Sequence, residues 1–338
     1  MTDIRSLPLA VTLGDPAGCG PAITRQAWNA FRSAGTGCFY VVAPPNVFEA
    51  DGPTAAIGDP AEAAEVFPDA LPVLMLDTDL PAIVPGHPDR ASASAITGSI
   101  KLAVEHALDG RAGGVVTNPI SKSILYAAGF PHPGHTEYLA ELCRGDQAAA
   151  PDPVMMLVGG GLRVALATIH VPLREAIDQL DQSHLQKTAQ TVHAALGGDF
   201  GILEPRLAFT GLNPHAGEDG TLGREELEIV NPAANALRQS GIDITDARPA
   251  DTVYAEALDG AYDAVIAMTH DQGLIPVKTL DFWGGVNTTL GLPIVRTSPD
   301  HGTAYEAAAK GTARPDSLIA AIRLAQDLAA RRASVSDA

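Results

Sequence analysis

The chain has 338 residues, 46% of them hydrophobic and 18% charged, which is too apolar for a disordered protein. That length suits about two domains with real cores. With 22 Lys+Arg against 40 Asp+Glu the formal net charge is −18, and no Lys/Arg-rich run appears. A nucleic-acid backbone or an anionic membrane surface is thereby excluded as a partner.

Cys19, Cys38 and Cys143 form no CxxC and no zinc-knuckle spacing, and an odd count fits a reducing compartment. The apolar run 7–13 is cut short by Gly14-Asp15-Pro16 with no cleavage site after it. No apolar stretch approaches the roughly 20 residues of a membrane span. The expectation is a cytoplasmic globular protein.

In chain order, β-branched runs predict strands at 9–13 and 38–42, followed by an Ala/Pro-rich stretch, 53–88, of short elements on a loose connection. A helix at 96–108 leads to a strand at 114–117 and a short helix at 137–143. Strands at 154–158 and 163–169, a helix at 182–196, a strand at 206–210 and a helix at 224–239 come next. A strand at 263–268 and a last helix at 316–330 complete the pattern; Leu318, Ile322 and Leu328 share one face of that helix, and 331–338 reads as a frayed tail. Strands alternating with helices predict an α/β fold with a mostly parallel sheet covered on both faces.

Three of the ten histidines repeat one context. His170 ends the run 162–169, His215 follows the run 207–212 through Asn213-Pro214, and His270 ends the run 264–269. Each falls just past the carboxyl end of a predicted strand, the edge where open α/β sheets bind ligands. Three imidazoles with an open fourth position suit a catalytic divalent metal. Taken singly, each histidine reads equally as a strand cap bonded to a backbone carbonyl. No HExxH or His-x-His spacing supports the metal locally, so the argument rests on the repeated topology.

Lys278, Asn287 and Arg296 form a polar set suited to an anion, with Lys as a point charge and Arg as a bidentate fork. Each alone also reads as a solvated surface residue. His135-Thr136, after Pro133-Gly134, suggests an anion at a helix start, or a plain Thr136 N-cap. The turn 14–21 tempts a dinucleotide reading, but Gly18-Cys19-Gly20 would need Gly or Ala where Ile23 stands, and no P-loop exists. Cys19 has no cation near it before Arg25, so a reactive thiolate is not expected.

Several ordered motifs carry a family resemblance. Gly14-Asp15-Pro16-Ala17-Gly18, Gly134-His135-Thr136-Glu137, the segment 211–218, His270-Asp271-Gln272-Gly273, the segment 285–293 and the segment 296–304 together resemble the 4-hydroxythreonine-4-phosphate dehydrogenase family of vitamin B6 biosynthesis. The match runs from about residue 8 to 330. Cys19 stands where the family usually has an aliphatic residue and Thr269 where it usually has Tyr, and Trp283-Gly284 falls in a variable stretch.

The resemblance implies two α/β/α domains around a central cleft, like isocitrate and isopropylmalate dehydrogenases and unlike a GxGxxG Rossmann protein. It implies a first domain of 1–134 with 295–338 and a second of 135–294 carrying the metal ligands. His170, His215 and His270 match the family's ligands for one divalent ion, contributed by both subunits of a homodimer whose active site lies at the interface. Zinc and cobalt suit imidazole, while magnesium prefers oxygen. His135, Thr136, Lys278, Asn287 and Arg296 match its substrate-binding positions. His301, Gly302, Thr303 and Ala304 match the first half of a loop that meets the adenosine end of NAD, with NADP left open.

The reaction implied is oxidation of 4-phosphooxy-L-threonine at C3 to 2-amino-3-oxo-4-phosphooxybutanoate, then loss of CO2 to 3-amino-2-oxopropyl phosphate in pyridoxal phosphate biosynthesis. Lys278 and Asp251 are the catalytic candidates. Asp251 would assist proton removal or complete the metal site, although it reads equally as a helix cap. Competing readings are a paralogous dehydrogenase of D-threonate or D-erythronate 4-phosphate or of a terephthalate dihydrodiol, a metal-dependent hydrolase, and a non-catalytic metabolite-binding protein.

Overall fold

A computed structural model of the chain describes residues 7–48, 52–80, 82–132, 134–145 and 152–336, without the side chains of 45, 135, 335 and 336. It divides into two compact units, Met1–Pro153 with Leu292–Ala338, and Val154–Gly291. The first unit opens with β1 (Leu9–Thr12), α1 (Gly20–Ala34), β2 (Phe39–Ala43), β3 (Thr54–Ile57), α2 (Ala63–Val66) and β4 (Leu71–Met75). It continues through α3 (Ala93–Leu108), β5 (Val115–Val116), α4 (Lys122–Ala127) and α5 (His135–Leu142). The second unit runs β6 (Val154–Gly159), β7 (Leu162–Leu166), α6 (Leu173–Gln179), α7 (Gln182–Gly198), β8 (Arg206–Phe209) and α8 (Asn231–Gln239). It ends with β9 (Asp243–Ile244), α9 (Val253–Leu258), β10 (Ala264–Ala267), α10 (His270–Leu280) and β11 (Val286–Leu290). The chain then returns to the first unit for β12 (Arg296–Pro299), α11 (Tyr305–Lys310) and α12 (Asp316–Ser336).

Within the first unit the strand order is β3-β4-β2-β1-β5-β12, parallel throughout. β1 is buried at every residue, as a strand covered on both faces must be. Ile96, Ile100, Ala103 and Val104 of α3 pack on Ala10, Tyr40, Val42 and Val115. α12 lies against β12, where Thr297 Oγ1 donates to the Ala321 carbonyl at 2.8 Å.

The unit boundary falls after Pro153, not after 134, because Leu139, Ala140 and Cys143 in and just after α5 join the same core as α3. The return falls at Leu292 rather than 295, for Leu292 and Ile294 are buried in that core too. The tail read as frayed continues α12 to Ser336, since Ala333 still packs at 4% exposure.

In the second unit the order is β11-β6-β7-β10-β8-β9. β7, β10, β8 and β9 pair in parallel, while β6 runs antiparallel to both of its neighbours. Leu185 and Val192 of α7 and Leu237 of α8 cover Phe209 and Ile266. The helix read across 224–239 is in fact a π-helical turn, Glu226–Val230, leading into α8. No helix among the described residues is long and apolar enough to cross a membrane.

Candidate active site

The parallel register explains why distant histidines reach one edge. Leu166 of β7 pairs with Ala267 of β10, and Ile266 of β10 with Phe209 of β8, so the three strands end at one level. His170, His270 and His215 all follow those ends. His170 and His270 come together, with ring centroids 5.2 Å apart and planes at 49°. A cavity of about 330 Å³ opens there, lined by Thr168, Ile169 and His170 on one side and by Thr269, His270 and Asp271 on the other. α10 approaches β7 closely because Gly273 has no side chain; a Cβ would collide with Leu166.

Asp271 Oδ1 lies 2.8 Å from His270 Nδ1. A carboxylate oxygen only accepts, so Nδ1 carries the proton and the Nε2 lone pair is left for a metal, the arrangement that orients metal-binding imidazoles. Gln272 ties the strand ends behind these rings. Its Oε1 accepts from Thr210 Oγ1 at 2.8 Å and from Met268 N at 2.9 Å, while its Nε2 donates to the Gly211 carbonyl at 2.7 Å.

His215 rides on an unusual segment. His215, Ala216, Gly217, Glu218 and Asp219 have φ of 51°, 52°, 79°, 43° and 53°, a left-handed turn. Each non-glycine residue there costs about 1–2 kcal/mol against the right-handed alternative. Among the described residues no three His, Cys, Asp or Glu side chains gather closely enough to hold a metal ion. The expected triad is therefore assembled only in part within one chain, as the pair His170–His270.

The remaining candidates of this unit are spread out. Lys278, half-buried on α10, places its ammonium 5.4 Å from the Phe282 ring centroid. Asn287 on β11 is partly buried, and its Oδ1 is an acceptor without a hydrogen-bond partner among the described residues. Asp251 is exposed in the turn ahead of α9, and Thr252 rather than Asp251 occupies the N-cap.

In the first unit, Arg296 is 4% exposed and donates through Nη2 to Thr117 Oγ1 at 2.6 Å. Burial pulls its guanidinium pKa down to about 10, which still leaves it charged at neutral pH. His135 begins α5, with its side chain outside the described residues, and Gly134 rather than Thr136 is the N-cap. The loop 301–304 follows β12, and its Thr303 carbonyl accepts from Cys19 N at 2.8 Å. Asp15 braces the same place, accepting from Ala17 N at 3.0 Å and from Tyr305 Oη at 2.6 Å. Burial raises the Cys19 thiol to about 11, in keeping with an unreactive cysteine.

A family model described as pyridoxal phosphate biosynthetic protein PdxA matches residues 41–325. The chain belongs to that family. The 4-hydroxythreonine-4-phosphate dehydrogenase of Maricaulis maris is 51% identical over 336 residues, covering 96% of this chain and 98% of its own. A crystal structure of 4-hydroxythreonine-4-phosphate dehydrogenase from Klebsiella pneumoniae matches with a TM-score of 0.85 at 36% identity, over 96% of this chain and 100% of that one. A terephthalate 1,2-cis-dihydrodiol dehydrogenase from Burkholderia xenovorans matches with a TM-score of 0.65 at 28% identity, over 95% and 98%. This PdxA-family chain is an oxidoreductase associated with pyridoxal phosphate biosynthesis, and the α/β fold class holds.

Sequence reasoning placed Asp15, Asp271 and Gln272 within the PdxA-family motifs but assigned them no role, and gave none to Tyr305. Asp271 adjoins His270 and had a local signal. The bonds of Gln272 to Gly211 and of Tyr305 to Asp15 had none, since those partners lie 61 and 290 residues apart along the chain.

Proposed function

We propose that this chain oxidises 4-phosphooxy-L-threonine at C3 with NAD, or NADP, in a reaction that depends on a divalent ion. The observation that carries the reading is the His170–His270 pair with Asp271 fixing the His270 tautomer, in a chain 51% identical to a 4-hydroxythreonine-4-phosphate dehydrogenase. The donor set fits zinc or cobalt better than magnesium, being imidazole nitrogen. His170, His215 and His270 would hold the ion. One chain gathers two of the three, which accords with a homodimer sharing ligands at its interface. When bound, the ion stabilises negative charge on the carbinol oxygen and NAD accepts the hydride.

The chain's own groups bind and orient the substrate. Lys278 and Arg296 neutralise its phosphate and carboxylate, with His135 and Thr136 at the start of α5 as further anion contacts. The Asn287 Oδ1, lacking a partner among the described residues, accepts from a substrate donor such as the ammonium. Asp251 takes the carbinol proton and passes it to water. His301, Gly302, Thr303 and Ala304 meet the cofactor. Oxidation of the C3 carbinol gives 2-amino-3-oxo-4-phosphooxybutanoate. The C1–C2 bond then breaks, CO2 leaves, C2 takes a proton, and 3-amino-2-oxopropyl phosphate results. The compartment in keeping with this work is the cytoplasm.

Turnover tests the reading. NADH absorbance should rise with 4-phosphooxy-L-threonine well above the rates with D-threonate 4-phosphate, D-erythronate 4-phosphate or the terephthalate dihydrodiol. A faster rate with one of the others assigns the chain to that paralogue instead. The dihydrodiol has the weaker support, since its dehydrogenase is 28% identical against 51%. Membership of an oxidoreductase family leaves the hydrolase and pure binding readings unsupported.

A further inference from the structure

We propose that Glu226 is the positioning residue that holds His215 ready for its metal, acting through Asn213. The inference rests on the reading of His215 as a ligand. Glu226 is 1% exposed, yet it carries an ionisable group and sits on the π-helical turn rather than at the cavity. Such one-turn distortions recur at functional sites because they re-aim a side chain. Here the carboxylate is aimed back at the left-handed turn. Its Oε1 accepts from the Asn213 backbone N at 2.7 Å and its Oε2 from Asn213 Nδ2 at 3.0 Å. Glu225 Oε2 accepts from the same Asn213 Nδ2 at 2.7 Å.

Asn213 is the residue from which the left-handed turn departs, and its carbonyl accepts from Ala216 N at 3.1 Å. Space for the clamp is reserved by Gly217, where a Cβ would lie 2.5 Å from Glu226 Oε2. Four non-glycine residues among five consecutive ones do not hold positive φ by local preference, so something outside the turn must impose it. Glu226 is the buried group that grips its start from both backbone and side chain. The clamp sets where the His215 imidazole stands before any ion arrives, and so lowers the cost of binding one.

The test is cobalt binding by the full-length chain, read from the visible absorption of imidazole-ligated cobalt, alongside the Tm without metal. His215→Ala should abolish the wild-type spectrum; if it does not, the ligand reading itself fails. With that established, Glu226→Gln keeps the shape but removes an acceptor from Asn213 Nδ2, and should weaken cobalt binding about 10- to 100-fold. Ala216→Gly added to Glu226→Gln should restore much of that loss, because glycine holds positive φ without strain. Glu228→Gln, exposed on the same turn, should bind cobalt as the wild type does. Wild-type cobalt affinity in Glu226→Gln overturns the proposal, as does a loss that appears only as a lower Tm. Should Glu226→Gln fail to fold, Asn213→Asp replaces the shared donor by an acceptor and must weaken cobalt binding to the same degree. Unchanged binding there also overturns it.

Discussion

The two units end their parallel strands in opposite ways. At the edge of the first, Asn118 Nδ2 donates to the Thr12 carbonyl at 2.8 Å and to Thr24 Oγ1 at 2.7 Å, and both Asp15 oxygens accept bonds, while the buried Asn118 Oδ1 has no hydrogen-bond partner among the described residues. Asn118 and Asp15 are each 1% exposed. At the edge of the second unit, His170 and His215 are exposed and the His270 side chain is 30% exposed. Much of the first edge's bonding capacity goes to fixing loops, so it serves as a frame. The second spends conformational energy on the left-handed turn that carries His215. Backbone strain at an exposed histidine of this kind marks a place where function, not packing, sets the geometry.

The contrast can be broken most directly at the histidines. His270→Ala or His170→Ala should cut kcat/KM by about 100- to 1,000-fold or more, the several kcal/mol that a metal supplies to a transition state. Chelator treatment of the wild type should cause the same loss, reversed by added zinc or cobalt. Steady-state kinetics decides; a variant with near-normal kcat/KM would leave the second edge no more committed to chemistry than the first.

A smaller effect, on stability, is expected from Asn118→Ala. It strands the buried Thr12 carbonyl and Thr24 hydroxyl, at a cost of about 2–4 kcal/mol. Urea denaturation should show a lower midpoint with unchanged slope, and an unmoved midpoint would mean that the first edge is not held as described. Tyr305→Phe sharpens the point further. Losing the bond to Asp15 should cost about 1 kcal/mol and raise the KM for NAD more than it lowers kcat, because the loop 301–304 directly precedes Tyr305. An equal change in both constants would point away from cofactor positioning.

The smallest expected effect is a pH dependence inside the first unit. His106 is 3% exposed beside Tyr40, its Nδ1 2.8 Å from the Tyr40 hydroxyl. Burial, aided by Arg111, pulls its pKa below the ordinary 6.5. As pH falls through 6.5 the unfolded chain takes the proton first, so stability drops there and levels off below the folded pKa. Thermal melts of His106→Gln should lack that component between neutral and mildly acid pH; an identical profile would remove His106 from the account.

Much of the fold was legible because buried parallel strands read as continuous apolar runs, and β1, β2, β6, β7, β8 and β10 fall where such runs stand. β11 and β12 did not read as strands, since Asn287, Thr288 and Thr289 and Arg296, Thr297 and Ser298 give them polar faces. β3 and β4 were hidden in an Ala/Pro-rich stretch whose pairing partners are distant. The π-helical turn at Glu226 is continuous with α8, and residue types alone do not separate an i→i+5 turn from the α-helix expected there.

Residue types, their order and the family motifs were determined by the sequence alone, and with them the α/β class and the identity of the three histidines. These depend on local spacing and composition, which a linear chain displays. Which histidines pair, which way Asp271 fixes a tautomer, and what compels the His215 turn into left-handed geometry were decided by tertiary structure. Each depends on strand register or on a buried carboxylate meeting a remote amide, contacts that arise once the sheet has aligned its strand ends.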